Sequence, residues 1–140
     1  MIIEEINDEF WGQIIKDSCD FYLCNKSIAG LDIEIVFIPD EGDIMELIEN
    51  SKDMIQYYLG NEKKYKLFAA ENLGHFVTES WNQGELLTHQ QFVDKMQIES
   101  ITIGFDSFDL AYDDGGIFNG HLIMVFVDGE RNPTGADIAG

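Results

Sequence analysis

Two periods of apolar and polar residues divide this chain into three parts. In the first part the period is two. Leu31, Ile33, Ile35 and Phe37 alternate with Asp32 and Glu34, which predicts a half-buried strand with an acidic outer face, ended by Pro39. Phe10 to Ile15 reads as an earlier strand and Phe21 to Leu23 as a weaker one. From Ile44 the rhythm changes to three and four. Ile44, Leu47, Ile48, Ser51, Ile55 and Tyr58 form one stripe, and Asp43 with Glu46 supplies a capping-box pattern ahead of it. Gly60 stops this helix and Asn61 caps the next, which places Tyr65, Phe68, Ala69, Leu73 and Phe76 on one face and ends near Trp81-Asn82-Gln83-Gly84. Thr88 and Gln91 predict a third, short helix, with Leu87 stapled onto Phe92. Alternation then returns at Ile101, Ile103 and Phe105 and at Phe108, Leu110 and Tyr112. Leu122 to Val127 is apolar on both parities, which predicts a central strand with both faces covered. Asp128-Gly129 reads as a hairpin turn, and Ala136 with Ile138 closes the sheet.

Strands, then helices, then strands imply an α+β fold. The expected form is a largely antiparallel sheet, with about three helices inserted between N-terminal and C-terminal strands and packed on one face. A chain of 140 residues is expected to be a single domain spanning 1–140, large enough for a core without staples. Ten Phe, five Tyr and two Trp supply bulk for that core. Trp11 and Trp81 are read as core or hinge aromatics.

Charge changes the picture most. Eight basic residues face 27 acidic ones, for a net of −19. Phosphates would be repelled, so nucleic acid and anionic membranes are disfavoured as partners, and a basic protein is favoured. Residues 1–60 carry a net −11, residues 61–95 a net −1 and residues 96–140 a net −7, so the strand-forming flanks hold almost the whole field. The parity of Asp32, Glu34 and Asp109, opposite to the apolar residues, predicts an acidic plate on the exposed sheet face and makes these three the candidate partner-binding residues.

No apolar run approaches a membrane span, and the N-terminus lacks the pattern of a signal peptide, so a cytoplasmic location is expected. Cys19 and Cys24, five positions apart, would lie on opposite faces of a strand and about 16 Å apart, which predicts two free thiols.

Candidate chemistry is confined to Asp113, Asp114 and His121. Two carboxylates and an imidazole are the residue types that hold a divalent metal or move a proton. The same Asp-Asp-Gly step also builds a turn, with Gly115 supplying a positive φ and His121 pairing with a carboxylate or a carbonyl. His89 reads as a surface residue and His75 as half exposed, beside the apolar face of the second helix. A calcium loop, a paired His or Cys zinc motif, a phosphate loop and a nucleophile elbow are all absent from the sequence, and no cofactor is implied.

Several stretches carry a resemblance: Phe10-Trp11-Gly12, Ala69-Ala70-Glu71-Asn72-Leu73, Trp81 ahead of Leu87 to Phe92, Tyr112 to His121 as YDDGGIFNGH, and Ala136-Asp137-Ile138-Ala139-Gly140. With these the chain resembles a family of uncharacterised prokaryotic domains of unknown function. Related small acidic domains occur among bacterial toxin-immunity proteins. The resemblance implies a bacterial protein and supplies no activity.

Two readings of function follow. One is a non-catalytic cytosolic module that binds a basic protein, with the immunity type that masks a basic toxin as its specific form. The alternative is a small metal-assisted hydrolase built on Asp113, Asp114 and His121. A homodimer through the sheet edge near Ala136 to Ala139 is the competing use of the surface.

Overall fold

The computed structural model describes residues 5–76 and 87–139. Eight strands form one sheet in the order of the chain: β1 (Glu5–Asp8), β2 (Gly12–Lys16), β3 (Tyr22–Ile28), β4 (Leu31–Phe37), β5 (Gln97–Ile103), β6 (Phe108–Asp113), β7 (Leu122–Val127) and β8 (Pro133–Ala139). Every neighbouring pair is antiparallel except β4 and β5, which run parallel. A parallel pair needs a long crossover, and the crossover here holds α1 (Ile44–Gly60), α2 (Glu62–Phe76) and α3 (His89–Lys95). The helices sit between N-terminal and C-terminal strands, and the fold is α+β as the periods predict.

The strand expected at Phe10 to Ile15 starts only at Gly12, and β1, which the periods do not predict, precedes it. Asp8 accepts from the amides of Phe10 (2.8 Å) and Trp11 (2.9 Å), which turns the chain after β1, and Gly12 begins β2 at φ +83°. The carboxylate replaces ladder bonds that a continuous strand would make. Burial pushes the Asp8 carboxyl up, but these amides and the Lys52 ammonium at 3.0 Å outweigh it and hold the pKa below the usual value.

The helices cover one face of the sheet. In α1, Asp43 caps the start by accepting from the Met45 amide, and Leu47, Ile48, Ser51, Ile55 and Tyr58 are buried. Fully burying each Leu or Ile contributes roughly 1.5–3 kcal/mol. The polar member of that stripe has a partner. The Trp11 indole N–H donates to Ser51 Oγ at 2.9 Å, and the serine hydroxyl donates to the Ile48 carbonyl at 2.6 Å. Tyr58 and Tyr112 share a buried hydroxyl contact at 3.0 Å, and Tyr65 packs edge-on to Phe108 while donating to the Arg131 carbonyl. The α3 capping box forms as expected, with Thr88 and Gln91 bonding reciprocally. Trp81 and the expected end of α2 near Gly84 lie outside the described residues.

Both cysteines are free thiols. Cys19 is exposed in the turn after β2, and Cys24 is buried in β3. Burial pushes the Cys24 thiol up to about 11 and the Tyr65 phenol up to about 12. In the unfolded chain these groups lose protons near about 8.5 and 10. Between those values and the folded ones, the unfolded state binds fewer protons, so stability falls as pH rises. Melting temperature is expected to decline steadily from about pH 9 upward, and a thiol reagent at neutral pH is expected to modify Cys19 quickly and Cys24 only on unfolding. Two equally fast modifications would contradict the burial of Cys24.

Candidate functional site

The turn after β6 is organised by one carboxylate. Asp114 is 0% exposed. Its Oδ1 accepts from the Gly116 amide at 2.8 Å, and its Oδ2 accepts from Phe118 (2.7 Å), Gly120 (3.1 Å) and His121 (3.2 Å). Four converging amides make a cradle that satisfies a buried negative charge. Gly115, Gly116 and Gly120 take φ of +60°, +90° and +86°, which lets the chain wrap the carboxylate. Ile117 and Phe118 point inward, and Phe118 meets Phe92 of α3 edge-on at 5.9 Å. The turn therefore docks the β6–β7 connection against the helices.

The three residues singled out for chemistry each bond backbone groups of this same turn. Asp113 is half-buried on the opposite parity from Tyr112, and its Oδ2 accepts from the Gly115 amide at 3.0 Å. The His121 ring bonds the Phe118 carbonyl through Nδ1. A carbonyl only accepts, so Nδ1 carries the proton in this contact. Among the described residues no group of three or more His, Cys, Asp or Glu side chains is placed to hold a metal ion. His75 and His89 are exposed.

Asp32, Glu34 and Asp109 all lie on the sheet face opposite the helices. Asp32 and Glu34 are exposed on β4, beside the inward Ile33 and Ile35. Asp109 stands across β5 from them, between Thr102 and Phe126 in register, and burial alone raises its carboxyl pKa. With Asn25, Glu99 and Ser100, the β4 pair borders an open depression of about 460 Å³. The face is not the uniform acidic plate that the parity of the acids predicts. Ile15, Leu23 and Val36 share one register row, and Phe126 lies further along the same row. Ile15 is 49% exposed and Phe126 is 37% exposed.

The largest correction concerns β7. It is the seventh strand of eight, and among the described residues helices cover only one of its faces. Ile123, Val125 and Val127 are buried, whereas Leu122 and Met124 are half-buried and Phe126 is exposed. The apolar second parity is the signal that marks this surface in the sequence. Periodicity reports that both faces are apolar but cannot say what lies above each.

A second cleft of about 340 Å³ opens between the β3–β4 hairpin and the helices. Ile28, Leu31, Tyr58, Glu62, Lys66 and Met96 are among its walls. Its charges are of both signs, and Lys66 and Glu62 pair at 2.6 Å, so it presents no single-signed field to a charged ligand.

These features define a class: a helix-backed, largely antiparallel sheet whose outer face is acidic and partly apolar. The chain belongs to the family described as "Uncharacterized protein conserved in bacteria (DUF2262)", whose model matches residues 8–138. Comparison with curated proteins and with solved structures finds no match. No helix among the described residues is long and apolar enough to cross a membrane.

Proposed function

We propose that this protein is a non-catalytic protein-binding module of the bacterial cytoplasm that receives a basic partner on its outer sheet face, in the manner of an immunity protein masking a basic toxin. One observation carries the reading. The helices pack on one face, while the other presents Asp32, Glu34 and Asp109 in a chain of net charge −19. Such a field steers oppositely charged surfaces and repels phosphate-rich ones. The hydrolase alternative has no observation in its favour, because both oxygens of Asp114 are engaged by amides and His121 bonds a carbonyl.

The test is capture of partners from a bacterial lysate at low salt, followed by binding kinetics on what is captured. Screening confines exposed charges to about 8 Å at physiological ionic strength, so affinity is expected to fall as salt is raised. Asp32→Lys with Glu34→Lys is expected to slow association by about tenfold, with a smaller effect on dissociation. Partners that are acidic or neutral, and held regardless of salt, would remove the basis of the proposal.

A further inference from the structure

The outward face of β7 carries three apolar residues in succession on one strand. Leu122, Met124 and Phe126 project from it at alternate positions. Acids border them in register on both sides. Asp109 pairs with Phe126 and Asp113 with Leu122 from β6, and Asp137 pairs with Met124 from β8. The other cross-strand neighbours of this ridge are small: Ala111, Gly135 and Ala139. Four residue steps at about 3.4 Å make the ridge about 14 Å long, the length of roughly nine residues of helix at 1.5 Å each.

We propose that this ridge docks a basic amphipathic helix of a partner protein, whose apolar stripe covers Leu122, Met124 and Phe126 while flanking lysines or arginines meet Asp109, Asp113 and Asp137. The inference rests on the reading that the partner is basic, and names the partner's shape and the strand that receives it. Charge complementarity selects this occupant. A helix with an apolar stripe carries its bases along both borders of that stripe, which is the arrangement the acids on β6 and β8 require. A second copy of this chain is disfavoured, because face-to-face pairing would set these acids near like charges in a dimer of two −19 chains. A cation beside Asp109 would favour its charged form and so oppose the effect of burial on that carboxyl.

The probe is a synthetic amphipathic peptide with leucines at helical spacing and lysines elsewhere, compared with a peptide in which serine replaces every leucine. Affinities are measured by calorimetry at low salt, for the wild type and for a Met124→Ser/Phe126→Ser variant whose melting curve confirms folding. The wild type is expected to bind the leucine peptide at least about tenfold more tightly than the serine peptide, and the variant to lose that preference while binding the serine peptide unchanged. A missing preference, or one that survives in the variant, overturns the ridge and leaves the basic-partner reading standing, provided the serine peptide still binds in a salt-sensitive way. Failure of both peptides to bind overturns that reading and the ridge with it. Light scattering that shows a wild-type dimer, made monomeric by the variant, overturns the proposal in favour of a second copy.

Discussion

Asp114→Ala is expected to destabilise the protein by about 3–5 kcal/mol, the largest effect of any polar substitution in the turn. Four amides lose their acceptor at once around a carboxylate with no exposure; the Phe118 bond is buried and the other three are part-buried. Leaving one buried donor unsatisfied costs about 1–3 kcal/mol, and partial relaxation of the turn keeps the total below the simple sum. For a chain of this size that corresponds to a fall in melting temperature of roughly 10–15 °C. Asp114→Asn should recover only part of the loss, since its NH₂ group cannot accept from an amide. Asp113→Ala removes one bond, to Gly115, in a more exposed setting and is expected to cost under about 1 kcal/mol. Thermal melts of the three variants provide the measurement. Equal stability of the Asp114 and Asp113 alanine variants would show that the cradle is not what holds the turn. Calorimetric titration of the wild type with Mg²⁺, Mn²⁺, Ca²⁺ and Zn²⁺ completes the comparison. Stoichiometric micromolar binding would instead support a metal-assisted role for this turn.

Gly115→Ala should cost about 2–4 kcal/mol, and Gly116→Ala about 1 kcal/mol. Both residues have positive φ, at +60° and +90°, so both pay backbone strain on gaining a side chain. They differ in what the new carbon meets. At Gly115 it would lie 2.3 Å from the Lys95 carbonyl oxygen and 2.8 Å from Lys95 Cβ, at the junction of α3 and β5, whereas at Gly116 nothing lies within 4 Å. Backbone must move in the first case and not in the second. Chemical denaturation of the two variants side by side tests this, and a Gly115→Ala protein as stable as Gly116→Ala would refute the close approach.

The elements that could be read from the sequence are those whose causes lie within a few residues. Thr88 and Gln91 announce α3 because a capping box is a four-residue device, and the α1 stripe includes Ser51 because its spacing is helical. That Phe10 and Trp11 belong to a turn between β1 and β2, and not to the strand, is not legible, since it depends on where the Asp8 carboxylate points. The closing hairpin was legible in place but not in length. Asp128 accepts with its side chain from Glu130 and Asn132, and Arg131 takes φ +68°, so the turn spans more than the Asp-Gly step. In the candidate site, Asp113-Asp114-Gly115 could be read as a turn. That the second aspartate is its buried centre, while the first stays on the outer face, depends on the path of residues 116–121.

By itself the sequence determined the α+β order, the Thr88–Gln91 capping box and Asp43 as the N-cap of α1, the acidity of the outward parity on β4 and β6, and the free thiols. These follow from local periods, from the stereochemistry of Asp and Gly, and from net charge. Glu46, by contrast, completes no capping box with Asp43, and Asn61, expected to cap α2, instead closes α1 through its side chain and the Tyr57 carbonyl. Only the tertiary structure decided the order of strands in the sheet, the position of β7 next to an edge, the contact of Gly115 with Lys95, and the use of both Asp114 oxygens inside the turn. Each of these sets together groups distant along the chain or closes a turn around one side chain. The two apolar parities of β7 show the division most clearly. The residues state that both faces are apolar, but the described helices cover only one of them, so Leu122 and Met124 stay half-buried and Phe126 exposed on a strand expected to be core.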